Sequence, residues 1–110
     1  MTDVRLTDLL AERVMGWTVG SDRFMTGDRR WVKRWRFRPL ENLLDAFRLL
    51  EKAAPQEYSM RSDSKGTFLV EIRIGDTTGK ADGTSKPRVI TCAIASALGI
   101  QVESGDTHAV

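Results

Sequence analysis

The sequence predicts an α+β fold, an antiparallel four-stranded sheet with helices packed on it, in the order α-β-β-α-β-β-α. Three segments carry apolar residues at helical spacing, and two pairs of short alternating segments are separated by turn-forming residues. The connections within each pair are short and require only antiparallel pairing, which one sheet covered by helices satisfies most simply. At 110 residues and 41% hydrophobic content the chain is expected to form one domain over residues 1–110.

The first helix is expected in "LTDLLAERVMGW", where Leu6, Leu9, Leu10 and Val14 fall on one side. Gly16 follows the last apolar residues, where a helix end favours a residue that tolerates positive φ. Residues 17–20 can then begin a short strand. The glycines and polar residues of "GSDRFMTGDRR" supply a connection to a second strand over residues 30–37.

The middle helix is the plainest element. In "PLENLLDAFRLLEKAAP", Leu40, Leu43, Leu44, Phe47, Leu50 and Ala54 form one wide apolar stripe between Pro39 at the start and Pro55 at the stop. Tyr58 and Met60 then alternate with polar residues, Ser62 to Gly66 make a turn, and "TFLVEIRI" puts Phe68, Val70, Ile72 and Ile74 on one face. Residues 75–87, with Gly75, Gly79 and Gly83 among polar neighbours, are expected to be a mobile loop. A last helix, "PRVITCAIASALG", has Ile90, Ala93, Ile94, Ala97 and Leu98 on one side and ends at Gly99. Its small residues would let it lie close to a sheet.

Charge is distributed unevenly. From Arg23 to Arg38 seven basic residues face one acidic residue, Asp28, a local charge of +6, so the rest of the chain, with +2 in all, carries −4. Such asymmetry concerns partners rather than fold. Its densest part, "RRWVKRWRFRP", holds six basic residues and three aromatic rings. As a strand it would send Trp31, Lys33, Trp35 and Phe37 to one face and Val32, Arg34, Arg36 and Arg38 to the other.

Two readings of that strand stay open. In the first, the rings belong to the core and the arginines are solvated, or neutralised across strands by Glu71 and by Glu57 or Asp63. In the second, Arg34, Arg36 and Arg38, with Arg30, bind phosphates or carboxylates, and Trp31 or Trp35 stacks on the ligand. The second reading predicts that changing Arg34 and Arg36 together to Ala abolishes binding with little effect on the melting temperature.

Little else points to chemistry. "GDTTGK" follows a strand but is one residue short of a phosphate loop, and Ala81 stands where such a loop needs Ser or Thr. Cys92 is alone and sits in an apolar helix, and His108 is the sole histidine, in a tail expected to fray. No cofactor, metal or catalytic residue is expected, and the chain is expected not to be an enzyme. With no apolar run near the roughly 20 residues of a membrane helix and no signal-like start, a cytoplasmic protein is expected.

The segments "LLAERVMGWTV", Trp35 and Pro39, "DAFRLLEK", and Pro87, Ile90 and Ala93 together resemble the phage ABA sandwich domain family. The resemblance spans most of the chain. It implies a helix–sheet–helix sandwich and a phage or prophage origin, and it carries no catalytic residues. Together with the small size and the lack of catalytic residues, it leads to the expectation of a non-enzymatic accessory protein that acts by binding and blocks or sequesters a host component, such as a host protein or an anionic nucleotide signal. Two alternatives remain, a nucleic-acid-binding module built on residues 29–38 and a virion or assembly component that forms homo-oligomers.

Overall fold

The computed structural model describes residues 2–101, and His108 lies outside the described residues. Helix α1 (Asp3–Leu10) starts at Thr2, whose hydroxyl accepts the Arg5 amide. That bond satisfies one of the amides a first turn leaves unpaired. A π-helical stretch, Ala11–Met15, continues α1 to Gly16, whose φ of 73° ends the helix where the sequence places its stop. Helix α2 (Leu43–Ala53) is capped by the Asn42 side chain on the Asp45 amide. Helix α3 (Lys86–Ala97) carries Pro87 in its first turn, where an amide has no helical partner to lose.

The single four-stranded sheet is not what forms. The strands make two three-stranded antiparallel sheets, β1 (Thr18–Val19), β2 (Arg23–Met25) and β3 (Trp31–Lys33) in one, and β4 (Glu57–Ser62), β5 (Phe68–Ile74) and β6 (Thr77–Gly83) in the other. Strand β6 is the segment expected to be a mobile loop. It pairs with the whole of β5, from Ile74 opposite Thr77 to Phe68 opposite Gly83. Its inward positions are held by Gly79 and Ala81, so it shows none of the large alternating side chains that mark a strand in sequence. The reason is contact with α3: a Cβ on buried Gly79 would overlap the backbone of Ala93 and Ala97. Glycine here marks close approach rather than a turn.

One buried apolar cluster joins these elements. Val70 and Ile72 of β5 belong to it with Ile90, Ala93, Ile94 and Ala97 of α3, Ala46, Leu49 and Leu50 of α2, and Leu6 and Leu10 of α1. Helix α3 packs on β5 and β6, α2 packs on α3, and the π-helical stretch meets both α2 and β1. The helices therefore link the two sheets. The face that α2 buries is not the expected stripe: of that stripe's residues within the helix only Leu50 is buried, together with Ala46 and Leu49 from outside it, whereas Leu43, Leu44 and Phe47 stay exposed. A helix with apolar residues over so much of its circumference turns only part of that arc towards one packed neighbour.

Residues 30–37 do not form one strand. Strand β3 stops at Lys33, and Arg34–Arg36 make a 3₁₀ turn that the Phe37 amide closes on the Arg34 carbonyl at 3.1 Å. The turn breaks the two-residue period on which the expected faces rest. The inward residue of β3 is Val32, opposite buried Phe24, while Trp31 and Lys33 share the outer face with Met25 and Arg23. Of the three rings expected in the core only Phe37 is there. It packs on Phe24 and Trp17 with centroids 5.9 and 5.0 Å away.

Candidate functional site

The 3₁₀ turn and the chain leading to α2 form one side of an open cleft of about 310 Å³. Arg34, Trp35, Arg38 and Glu41 lie along that side, Asp3, Val4 and Thr7 of α1 line the other, and Phe24, Phe37 and Leu40 also contribute to the lining. The turn is held in place by Asp45, which is buried in α2 and accepts the Arg38 amide at 3.0 Å. Behind it, the Thr91 hydroxyl of α3 donates to the Pro39 carbonyl at 2.7 Å in a fully buried bond. The cleft wall is thus tied to two helices.

Arg34 is the most constrained of the candidate residues. Its guanidinium donates to both carboxylate oxygens of Asp8, at 2.5 and 3.2 Å, and to the carbonyls of Gly20 and Ser21, at 2.8 and 3.1 Å. It also lies 5.1 Å from the Phe24 ring centroid. The hydrogen bond to Asp8 raises its pKa further above an already high ordinary value. This side chain fastens β1–β2 to α1. The expected neutralisation by Glu71, Glu57 or Asp63 is not observed, because those residues sit on the other sheet: Glu71 pairs with Lys80, Glu57 with Arg73, and Asp63 accepts the amides of Lys65 and Thr67 in its own turn.

The other candidates divide in two groups. Arg38 pairs with Glu41 and so stays at the cleft with Arg34 and Trp35. Arg30, Trp31 and Arg36 lie outside its lining. Trp31 and Trp35 are 57% and 62% exposed, each beneath a guanidinium, that of Arg23 at 5.1 Å and that of Arg36 at 5.2 Å. Arg30 reaches Asp28 at 3.4 Å at the hairpin tip, where the Thr26 hydroxyl bonds the Asp28 carboxylate and lowers its pKa. Arg29, Lys33 and Arg36 have no acidic partner among the described residues.

Asp8 and Asp3 were invisible as site residues in the sequence. Asp8 meets Arg34 across 26 positions and Asp3 meets Arg88 across 85, and no spacing rule relates residues so far apart. Glu41, three residues after Arg38, was within reach of local reasoning. The "GDTTGK" segment contains the tight β5–β6 turn and the start of β6, with Lys80 directed to Glu71 at 3.8 Å.

The geometry defines a small α+β module that presents an open cleft with one tryptophan, Trp35, in its lining. The chain belongs to the phage ABA sandwich domain family, whose profile matches residues 8–95. Among solved structures, it is similar to a phage protein from Bacillus cereus ATCC 14579, with a TM-score of 0.75 over 94% of this chain and 93% of that one. The two are 14% identical, so the likeness concerns the fold alone. Comparison with curated protein sequences gave no match. No helix among the described residues is long and apolar enough to cross a membrane.

Proposed function

We propose that this phage protein acts by binding rather than catalysis, and blocks a host protein, such as a component of host defence, through the surface that carries Trp31 and Trp35. The observation behind this reading is the exposure of both rings, 57% and 62%. A large exposed ring leaves apolar area in water that a partner would cover, and Trp and Arg dominate the energetic centres of protein interfaces. At the cleft Arg34 is already neutralised by Asp8 and Arg38 by Glu41, which fits an apolar side chain of a partner better than a phosphate group.

An anionic nucleotide is a weaker candidate, since Arg34 and Arg38 already hold carboxylates. Nucleic acid has one observation in its favour, the exposed Arg29, Lys33 and Arg36 in the same stretch as the exposed Trp31 and Trp35. The deciding experiment compares affinity purification from host lysate with wild type and with Trp35→Ala, both checked for equal melting temperature. A host protein retained by wild type and lost by the variant supports the proposal. Equal retention removes this surface, a small-molecule adduct in native mass spectra redirects it to a nucleotide, and capture of nucleic acid that falls steeply with salt redirects it to a nucleic-acid module.

A further inference from the structure

Strand β4 is an edge of its sheet, hydrogen-bonded to β5 alone among the described residues, and nearly all of its residues are exposed. The Asp63 amide donates to the Thr67 carbonyl at 3.0 Å in the same register that pairs Ser62 with Phe68, so residues 57, 59, 61 and 63 direct their backbone groups towards β5. Tyr58, Met60 and Ser62 direct theirs outward, where no strand among the described residues pairs with them. An edge of this kind is a template for another strand.

The sequence of the edge, "EYSMR" from Glu57 to Arg61, complements itself when reversed. In an antiparallel pair of two copies centred on Ser59, Tyr58 falls opposite Met60, Glu57 opposite Arg61, and Ser59 opposite itself. Only residues with outward backbone groups can form the hydrogen-bonded pairs of such a junction, and in this register those are Tyr58 and Met60. A shift of the centre to Met60 would keep the hydrogen bonds but set Glu57 against Asp63, two like charges. We propose that β4 is a homodimer interface in which two copies pair antiparallel about Ser59 and join their sheets into one of six strands.

Three features of the strand fit that occupant. Arg61 is exposed and has no acidic partner among the described residues, so its charge is available to Glu57 of a second copy. Glu57 already holds Arg73 at 3.2 Å on its own sheet, which places it to bridge two cations in one cross-strand row. Tyr58 and Met60 lie opposite Ile72 and Val70, on the face that α3 covers over β5 and β6. Tyr58 nevertheless remains 53% exposed, and the pairing would bring it beside a thioether, a contact that favours sulfur near a ring. A two-fold axis perpendicular to the sheet puts both helix layers on the same side, and α3 packs on β5 and β6 rather than on β4, which leaves the edge strand clear of it.

Five paired residues per copy make a small interface, and dimer formation is expected at protein concentrations up to about 1 mM, in the range of weak association. Sedimentation velocity should show the wild-type chain moving from monomer to dimer as loading rises. Arg61→Glu, which gives one copy two acidic residues in the row, should remain monomeric over that range, as should Glu57→Arg with two basic ones. An equimolar mixture of the two variants should dimerise, because each supplies the charge the other needs. Circular dichroism establishes that both are folded. A wild type that stays monomeric, a variant that dimerises alone, or a mixture that does not associate overturns the interface.

Discussion

Arg34 shows how a side chain suited to bind a ligand can be committed to structure. Its four hydrogen bonds tie the Asp8 carboxylate of α1 to two carbonyls of the β1–β2 connection, and the pair is only partly exposed. Removing one member leaves Asp8 with an uncompensated charge in a place where water compensates incompletely. Arg34→Ala is expected to cost about 2 kcal/mol, discounted from the cost of a fully buried pair because both side chains retain some solvent contact. Arg36→Ala, at an exposed side chain that only covers the Trp35 ring, should change stability by less than about 0.5 kcal/mol. Urea titration of both variants checks this, and equal midpoints would show that the Asp8 contact carries little. The four hydrogen bonds of Arg34 argue against the expectation that a paired Arg34 and Arg36 substitution leaves the melting temperature nearly unchanged. The sequence made the cluster of arginines legible but not their partners, since Asp8 belongs to a helix 26 residues away.

At the scale of elements, periodicity recovered what large side chains announce and missed what small ones do. Each of the three helices overlaps the segment marked by its apolar spacing, although α1 starts three residues earlier, at Asp3, and α3 one residue earlier, at Lys86, and β5 shows the alternation of Phe68, Val70, Ile72 and Ile74. Strand β6 was illegible because its contact with α3 selects for the absence of side chains, and the division of residues 30–37 was illegible because the 3₁₀ turn resets the phase within a run of uniformly strand-like residues. Gly79 provides the test of the first explanation. A methyl group there meets backbone rather than a side chain that could rotate away, so α3 must lift from the sheet. Gly79→Ala is expected to destabilise the protein by about 3 kcal/mol, the upper part of the range for overpacked cores. Thermal and urea unfolding measure the loss. A change below about 1 kcal/mol would mean that the helix can yield at that point, and that glycine is not what sets its distance from β6.

For the whole molecule, the decisive fact is that the two sheets have unequal support. The second has strands of six and seven residues with α3 laid across two of them, whereas the first has strands of two and three residues joined to the rest through the π-helical stretch, Arg34 and the Phe24–Phe37–Trp17 cluster. This distribution places the candidate tryptophans on the less supported half, while the second sheet and α3 form the base. Regions with few buried contacts and short ladders open at lower free energy than the global transition. Amide hydrogen exchange should therefore separate the halves: the amides of Val70 and Ile72 in β5 should exchange only through global unfolding, and those of Phe24 and Val32 through a smaller opening that spares the second sheet. Arg34→Ala should accelerate exchange at Phe24 and Val32 more than at Val70 and Ile72, because its bonds hold β1–β2 to α1 and none of them reaches the second sheet. Equal protection in both halves, with equal acceleration by the variant, would show that the molecule opens only as one unit and that the tryptophan surface is as rigid as the core beneath α3.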